Sequence, residues 1–175
     1  MYLHMYNNML TNFELEDIAE NYGFPLNQVL MKDELHTISP KNGNYVINLE
    51  SSTQGDGTHW LTIVLRGKQC IYFDPFGILP PTEIIDFCRR IKGSHLAYST
   101  MEIQNIKADT CGWFGCGLFI YLHNNPNKDL YLASNEYTSQ FSHDTTQNNT
   151  ILKAFFRRLP KSRGFKLLNK LYSQK

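Results

Sequence analysis

The chain has 175 residues, 42% hydrophobic and 19% charged, with a formal net charge of +1. This size and balance predict a chain that folds on its own as one domain over residues 1–175, with a sizeable core. Four cysteines (Cys70, Cys88, Cys111, Cys116) with no Cys-x-x-Cys pair argue against a disulfide framework and a structural zinc site, so no metal is expected.

The N-terminus has neither the basic region nor the unbroken apolar stretch of a secretory signal. Thr11–Gly23 reads as a first helix. Thr11 and Glu14 have capping-box spacing, Phe13, Ile18 and Tyr22 supply part of an apolar face, and Gly23 suits the stop. Asn44–Leu49 reads as a buried strand, and Ser51–Thr58 as a polar, glycine-bearing loop. His59–Leu65 and Gln69–Phe73 alternate apolar residues around the turn Arg66-Gly67-Lys68 and predict a β-hairpin. After Pro75, Gly77, Pro80 and Pro81 come a helix over Thr82–Ile91, a strand over Leu96–Ile103 and a loop over Asn105–Thr110. Cys111–His123 reads as a buried helix despite three glycines. Its stretch Phe114–Leu122, the longest apolar run, is far short of the ~20 residues a membrane span needs. Residues 124–150 are polar and turn-rich, and short amphipathic helices over Ile151–Leu159 and Phe165–Tyr172 close the chain. The expected class is α+β, a small central antiparallel or mixed sheet flanked by helices. A soluble intracellular protein in a reducing compartment, with no membrane contact, is the plain reading.

Residues 151–175 hold eight Lys/Arg and no acid, against nine basic and 16 acidic residues elsewhere. Such asymmetry fits contact with nucleic acid or an acidic partner, although a helix with a solvated basic face accounts for it as well.

Thiol catalysis needs a nucleophile, a base, a group that orients the base, and donors facing the oxyanion. Four cysteines and six histidines allow many pairings. Cys111 stands out because it opens an apolar helix, where unpaired N–H groups and the dipole favour a thiolate. Gly112 after it would let a substrate backbone come close. Cys116 lies about 140° further around that helix and is expected in the core. Cys70 on a strand and Cys88 on an apolar helix face read as buried small hydrophobes. His59 starts a strand after the Gly55-Asp56-Gly57 loop, beside Trp60, and Asp74 ends the partner strand, where it can hold the imidazole. Taken singly, each has an ordinary structural explanation: a buried thiol, a structural histidine, an Asp-Pro turn.

Three blocks occur in order: Gly57-Thr58-His59-Trp60-Leu61, Tyr72-Phe73-Asp74-Pro75-Phe76-Gly77, and Gln104 seven residues before Cys111-Gly112-Trp113-Phe114. They resemble the active-site blocks of the adenain-like cysteine proteases, the capsid-maturation enzymes of adenoviruses, with relatives in virophages and polinton-type elements. Tyr45–Glu50 resembles the virophage and polinton branch most, and the likeness runs from about Lys32 to Leu122. The resemblance implies a papain-like, adenain-like fold with the nucleophile at a helix N-terminus. It assigns Cys111 as nucleophile, His59 as base and Asp74 as its orienting acid. Gln104 would donate its side-chain amide to the oxyanion hole beside the Cys111 N–H, with Trp60 and Gly112 bounding the substrate cleft. The adenoviral enzymes usually carry Glu where Asp74 stands. They also present a cysteine shortly before the glutamine, for a disulfide to an activating peptide, whereas residues 92–103 contain none.

The expected function is therefore a cysteine endopeptidase that processes viral capsid-precursor proteins at small, glycine-rich sites, in the virion and the infected-cell cytoplasm. It needs no cofactor for the chemistry. DNA stimulation through residues 151–175 is a hypothesis. The rivals are a deconjugating protease for ubiquitin-like modifiers and a non-enzymatic, basic-tailed packaging or scaffold protein.

Overall fold

The structure, a computed structural model, describes residues 9–55, 57–160 and 167–174. Its centre is a five-stranded mixed sheet in sequential order: β1 (Gln28–Met31), β2 (Gly43–Asn48), β3 (Trp60–Arg66), β4 (Gln69–Phe73) and β5 (His95–Tyr98). The inner pairs β2–β3 and β3–β4 are antiparallel, and the outer pairs β1–β2 and β4–β5 are parallel. The predicted hairpin is β3–β4, closed by Arg66 opposite Gln69.

Side chains alternate across the sheet and bury a separate core on each face. On one face Val46, Val64, Ile71 and Phe73 pack under α1 (Asn12–Tyr22), α3 (Cys111–His123), α4 (Leu130–Thr138), α5 (Thr145–Arg158) and α6 (Leu167–Tyr172). On the other, Tyr45, Ile47, Ile63 and Tyr72 pack with Leu35 of the 3₁₀ helix Lys32–Thr37 and with Ile84 and Phe87 of α2 (Thr82–Arg89).

α1 begins as its residues specify. Thr11 accepts from the Glu14 N–H, Glu14 accepts from the Thr11 N–H, and Gly23 ends the helix at φ 70°. Phe13, expected on the apolar face, is instead 71% exposed, because that face is set by Leu15, Ile18 and Ala19. α3 spans the predicted residues and is buried on nearly every side. Its glycines answer to close neighbours: a Cβ at Gly115 would lie 2.4 Å from Thr62 Oγ1 on β3.

Other elements depart from the sequence reading. β5 stops at Tyr98, so Ser99–Gln104 continues as a loop rather than a strand. Residues 124–150 contain α4 and the first turns of α5, and β1 and the 3₁₀ helix lie in a stretch assigned to no element. The last helix begins at Leu167; Phe165 and Lys166 lie outside the described residues. No helix among the described residues is long and apolar enough to cross a membrane.

Candidate active site

Three elements meet at one point above the sheet. The β2–β3 connection delivers His59, the end of β4 delivers Asp74, and the start of α3 delivers Cys111. All three side chains are buried. His59 Nε2–H donates to Asp74 Oδ1 at 2.8 Å, and the Cys111 side chain interacts with the same imidazole. The Phe76 ring stacks on the imidazole with centroids 4.8 Å apart and limits its rotation.

Asp74 is held as firmly as it holds. Its Oδ1 also accepts from the Phe76 N–H at 2.8 Å, and its Oδ2 accepts from the Tyr72 hydroxyl at 3.4 Å. The turn Asp74–Gly77 closes through Gly77 N–H to the Asp74 carbonyl at 2.9 Å. Gly77 has φ 68°, and a Cβ there would lie 2.5 Å from the Thr100 carbonyl oxygen, so the turn admits only glycine without strain. Burial lowers the His59 pKa, but the hydrogen bonds to Asp74 and Cys111 outweigh it and raise the value to about 9. At neutral pH the ring is an imidazolium.

Cys111 is the first residue of α3, and Thr110 before it makes no side-chain cap to the helix; its hydroxyl donates to Asn149 Oδ1 instead. The Trp60 backbone N–H donates to the Cys111 sulfur at 3.4 Å, adding a fixed dipole at the thiol. The other cysteines are buried away from this cluster, and burial pushes the Cys116 thiol pKa up.

Gln104 is fully buried in the loop before α3. Both Ile103 N–H and Gln104 N–H donate to the Pro75 carbonyl, at 2.8 and 2.9 Å, so the loop is pinned to the turn that carries Asp74. Its Nε2 donates to the Ala108 carbonyl at 2.5 Å. One amide hydrogen is used there, and the buried Oε1 has no hydrogen-bond partner among the described residues. The strand expected over Leu96–Ile103, just before Gln104, ends at Tyr98, and this loop clamp holds Gln104 instead.

Trp60 lines a cavity of about 370 Å³ with Met9, Leu10, Val29, Met31 and Gly57. Gly112 is the second residue of α3. The place a Cβ would take is bounded by Leu10 Cδ1 at 3.1 Å, Leu15 Cδ2 at 3.3 Å and Trp60 Cδ1 at 3.3 Å. On that side the glycine makes room for Leu10, Leu15 and Trp60.

Sequence reasoning missed several supporting residues. Asn148, buried on α5, donates to the Ile103 carbonyl at 2.8 Å and the Ser142 carbonyl at 2.7 Å, and accepts from the Ser142 N–H. Asn48 Oδ1 accepts from the Glu50 and Thr58 N–H groups and so closes the loop just before His59. Asn148 stands in no motif, and Asn48 lies within Tyr45–Glu50 with no role of its own legible there; the fold brings both to the site. The basic segment is partly used within the chain. Arg157 lies over the Tyr172 ring, Lys153 donates to the Gln174 carbonyl, and Lys170 pairs with Glu14 at 2.8 Å. Lys161, Arg163, Lys166 and Lys175 lie outside the described residues.

By sequence, no protein-family profile and no curated protein matches the chain. By structure, the ASFV pS273R protease matches with a TM-score of 0.56 at 16% identity, over 89% of this chain and 69% of its own. Its selenomethionine form matches at 0.55 and 17%, over 92% and 71%. At such identity the likeness speaks for architecture alone: the chain is an α+β protein, a five-stranded mixed sheet flanked by helices, with the fold of that protease.

Proposed function

We propose that the chain is a cysteine endopeptidase of the adenain-like, virophage-type branch that processes capsid-precursor proteins at small, glycine-rich sites. The observation that carries the chemistry is a buried imidazole that is hydrogen-bonded to Asp74 and interacts with a helix-opening thiol, Cys111. In the reaction the Cys111 sulfur, its proton held by His59, attacks the scissile carbonyl carbon and forms the S–C bond. The oxyanion faces the Cys111 N–H and the second hydrogen of Gln104 Nε2. The imidazolium then gives its proton to the leaving amine as the C–N bond breaks. In the second half a water loses a proton to His59, attacks the thioester and releases the acid. Asp74 keeps the ring oriented throughout and stabilises its charged form whenever it holds both protons.

Limiting iodoacetamide at near-neutral pH, followed by intact-mass analysis and peptide mapping, tests the thiol. Rapid single labelling at Cys111, slowed in His59→Ala and absent in Cys111→Ala, supports the reading. Slow labelling spread over Cys70, Cys88 and Cys116 and indifferent to His59 overturns it. Capsid precursors from virophage-type particles are then the substrates to try. Cleavage of a fusion to a Gly-Gly-ended modifier in their place would move the assignment to a deconjugating protease. Stimulation by duplex DNA belongs to the same proposal and rests on the basic segment. A rate unchanged by DNA at low salt, where phosphate contacts are strongest, removes it.

A further inference from the structure

Trp60 lines the cavity next to Cys111, and what holds its indole is the chain's own N-terminal segment. Indole Nε1–H donates to the Leu10 carbonyl at 2.6 Å, across 50 positions of sequence. Leu10 also fills the space beside Gly112. Met9 to Asn12 form one side of the 370 Å³ cavity whose other sides are Trp60, Gly57 and β1. The position of this segment thus sets both the stance of the indole and the width of the cavity.

The segment is in turn tied to α6 by one side chain. Lys170 Nζ donates to the Met9 carbonyl at 2.9 Å and to the Glu14 carboxylate at 3.1 and 2.8 Å. Glu14 is the residue whose carboxylate caps the Thr11 N–H, so a single cation joins the carbonyl before Leu10 to the cap after it. The pair is three-quarters buried, and Leu168 and Leu171 of α6 are sunk in the same core as Cys111. A partly buried charge with three acceptors in fixed geometry constrains more than an exposed surface pair does.

We propose that Lys170 is a positioning residue of the cleft: it clamps Met9–Glu14 against Trp60 and thereby sets how an apolar substrate side chain is gripped beside Cys111. The proposal rests on the protease reading for its substrate, but the clamp itself has a readout that does not. It acts on binding rather than on chemistry, because Lys170 touches none of His59, Asp74 or Cys111.

The test uses the full chain, a peptidyl vinyl sulfone of the form Leu-Ala-Gly-Gly, and iodoacetamide as the small probe. Lys170→Met is expected to raise the KI of the peptidyl probe about five-fold or more. Its maximal inactivation rate and the iodoacetamide rate at Cys111 should stay within about two-fold of wild type. Lys170→Arg, which keeps charge and donors, should restore KI. Iodide quenching of tryptophan fluorescence should rise in Lys170→Met through Trp60, since Trp113 is fully buried. If Lys170→Met does not fold, Glu14→Gln replaces it, because it keeps an acceptor for the Thr11 N–H while losing the charge. KI and quenching both unchanged in a folded variant overturn the proposal, as does a drop in thermal stability with neither readout moved. If the peptidyl probe fails to label wild type, the protease reading is what has failed, and quenching alone decides the clamp: increased exposure of Trp60 sustains it, and no change ends it.

Discussion

At the scale of single residues the site is governed by what surrounds one imidazole. Asp74 and the Cys111 thiol raise the His59 pKa from 6.5 to about 9 against the opposing pull of burial. Asp74→Asn removes the charge and keeps the shape. It should cut the rate of Cys111 alkylation, and of any peptide cleavage, by about 10²–10⁴-fold. It should also move the alkaline limb of the pH profile toward neutrality, which a pH series on the purified variant would read. The same shift couples to folding. A group whose folded pKa lies above its unfolded value binds the extra proton in the native state, so its contribution is complete below about pH 6.5 and fades as pH rises to about 9. We expect denaturant stability to fall across that window by on the order of a few kcal/mol in wild type, and to fall much less in His59→Gln. Cys111, His59, Asp74 and Gln104 stand out in the sequence because they sit in short blocks of distinctive residues at fixed spacing, and the structure brings His59 and Asp74 into contact. Asn148 and Asn48 do not stand out, since a buried asparagine that satisfies loop carbonyls or amides leaves no pattern in its neighbours.

At the scale of elements, what was legible is what carries its own local signal. α1 has its capping box and stop glycine, the β3–β4 hairpin has its alternation, and α3 has its unbroken apolar run. β1 was missed because four residues, Gln28–Met31, give too short a period and are only half covered. The first turns of α5 read Thr-Thr-Gln-Asn-Asn-Thr, residues that favour turns and caps over helix interiors. Asp144 caps them, and the tertiary bonds of Asn148 override the local preference. Asn148→Ala should therefore cost about 2–3 kcal/mol in chemical denaturation, by orphaning buried Ile103 and Ser142 groups. It should lower the maximal rate more than it weakens binding, because Ile103 adjoins Gln104. The Asp74–Gly77 turn offers a sharper test. Gly77→Ala forces a side chain into φ 68° and against the Thr100 carbonyl, and should destabilise by on the order of 2 kcal/mol while releasing Asp74 from His59. A Gly77→Ala protein with wild-type stability and wild-type labelling at Cys111 would contradict that account of the turn.

At the scale of the whole molecule, the α+β class was readable from the sequence, but the parallel outer pairs were not, because β1 was unseen and β5 was drawn too long. The sheet is a partition between two cores, and its middle strands β2, β3 and β4 are covered on both faces. Their amides should exchange with solvent most slowly and those of β1 and β5 faster, a pattern that hydrogen exchange with mass spectrometry would resolve. The contact between Lys170 and Met9 also has a meaning in time. Lys170 follows Trp60 by 110 residues, so at about 5–20 residues per second the ribosome makes the wall roughly 5–20 s before the residue that braces it. For the last 59 of those residues, roughly 3–12 s, a growing chain already contains His59, Asp74 and Cys111, yet the segment beside Trp60 has no brace. Met9–Glu14 is held against Trp60 only once α6 has been synthesised.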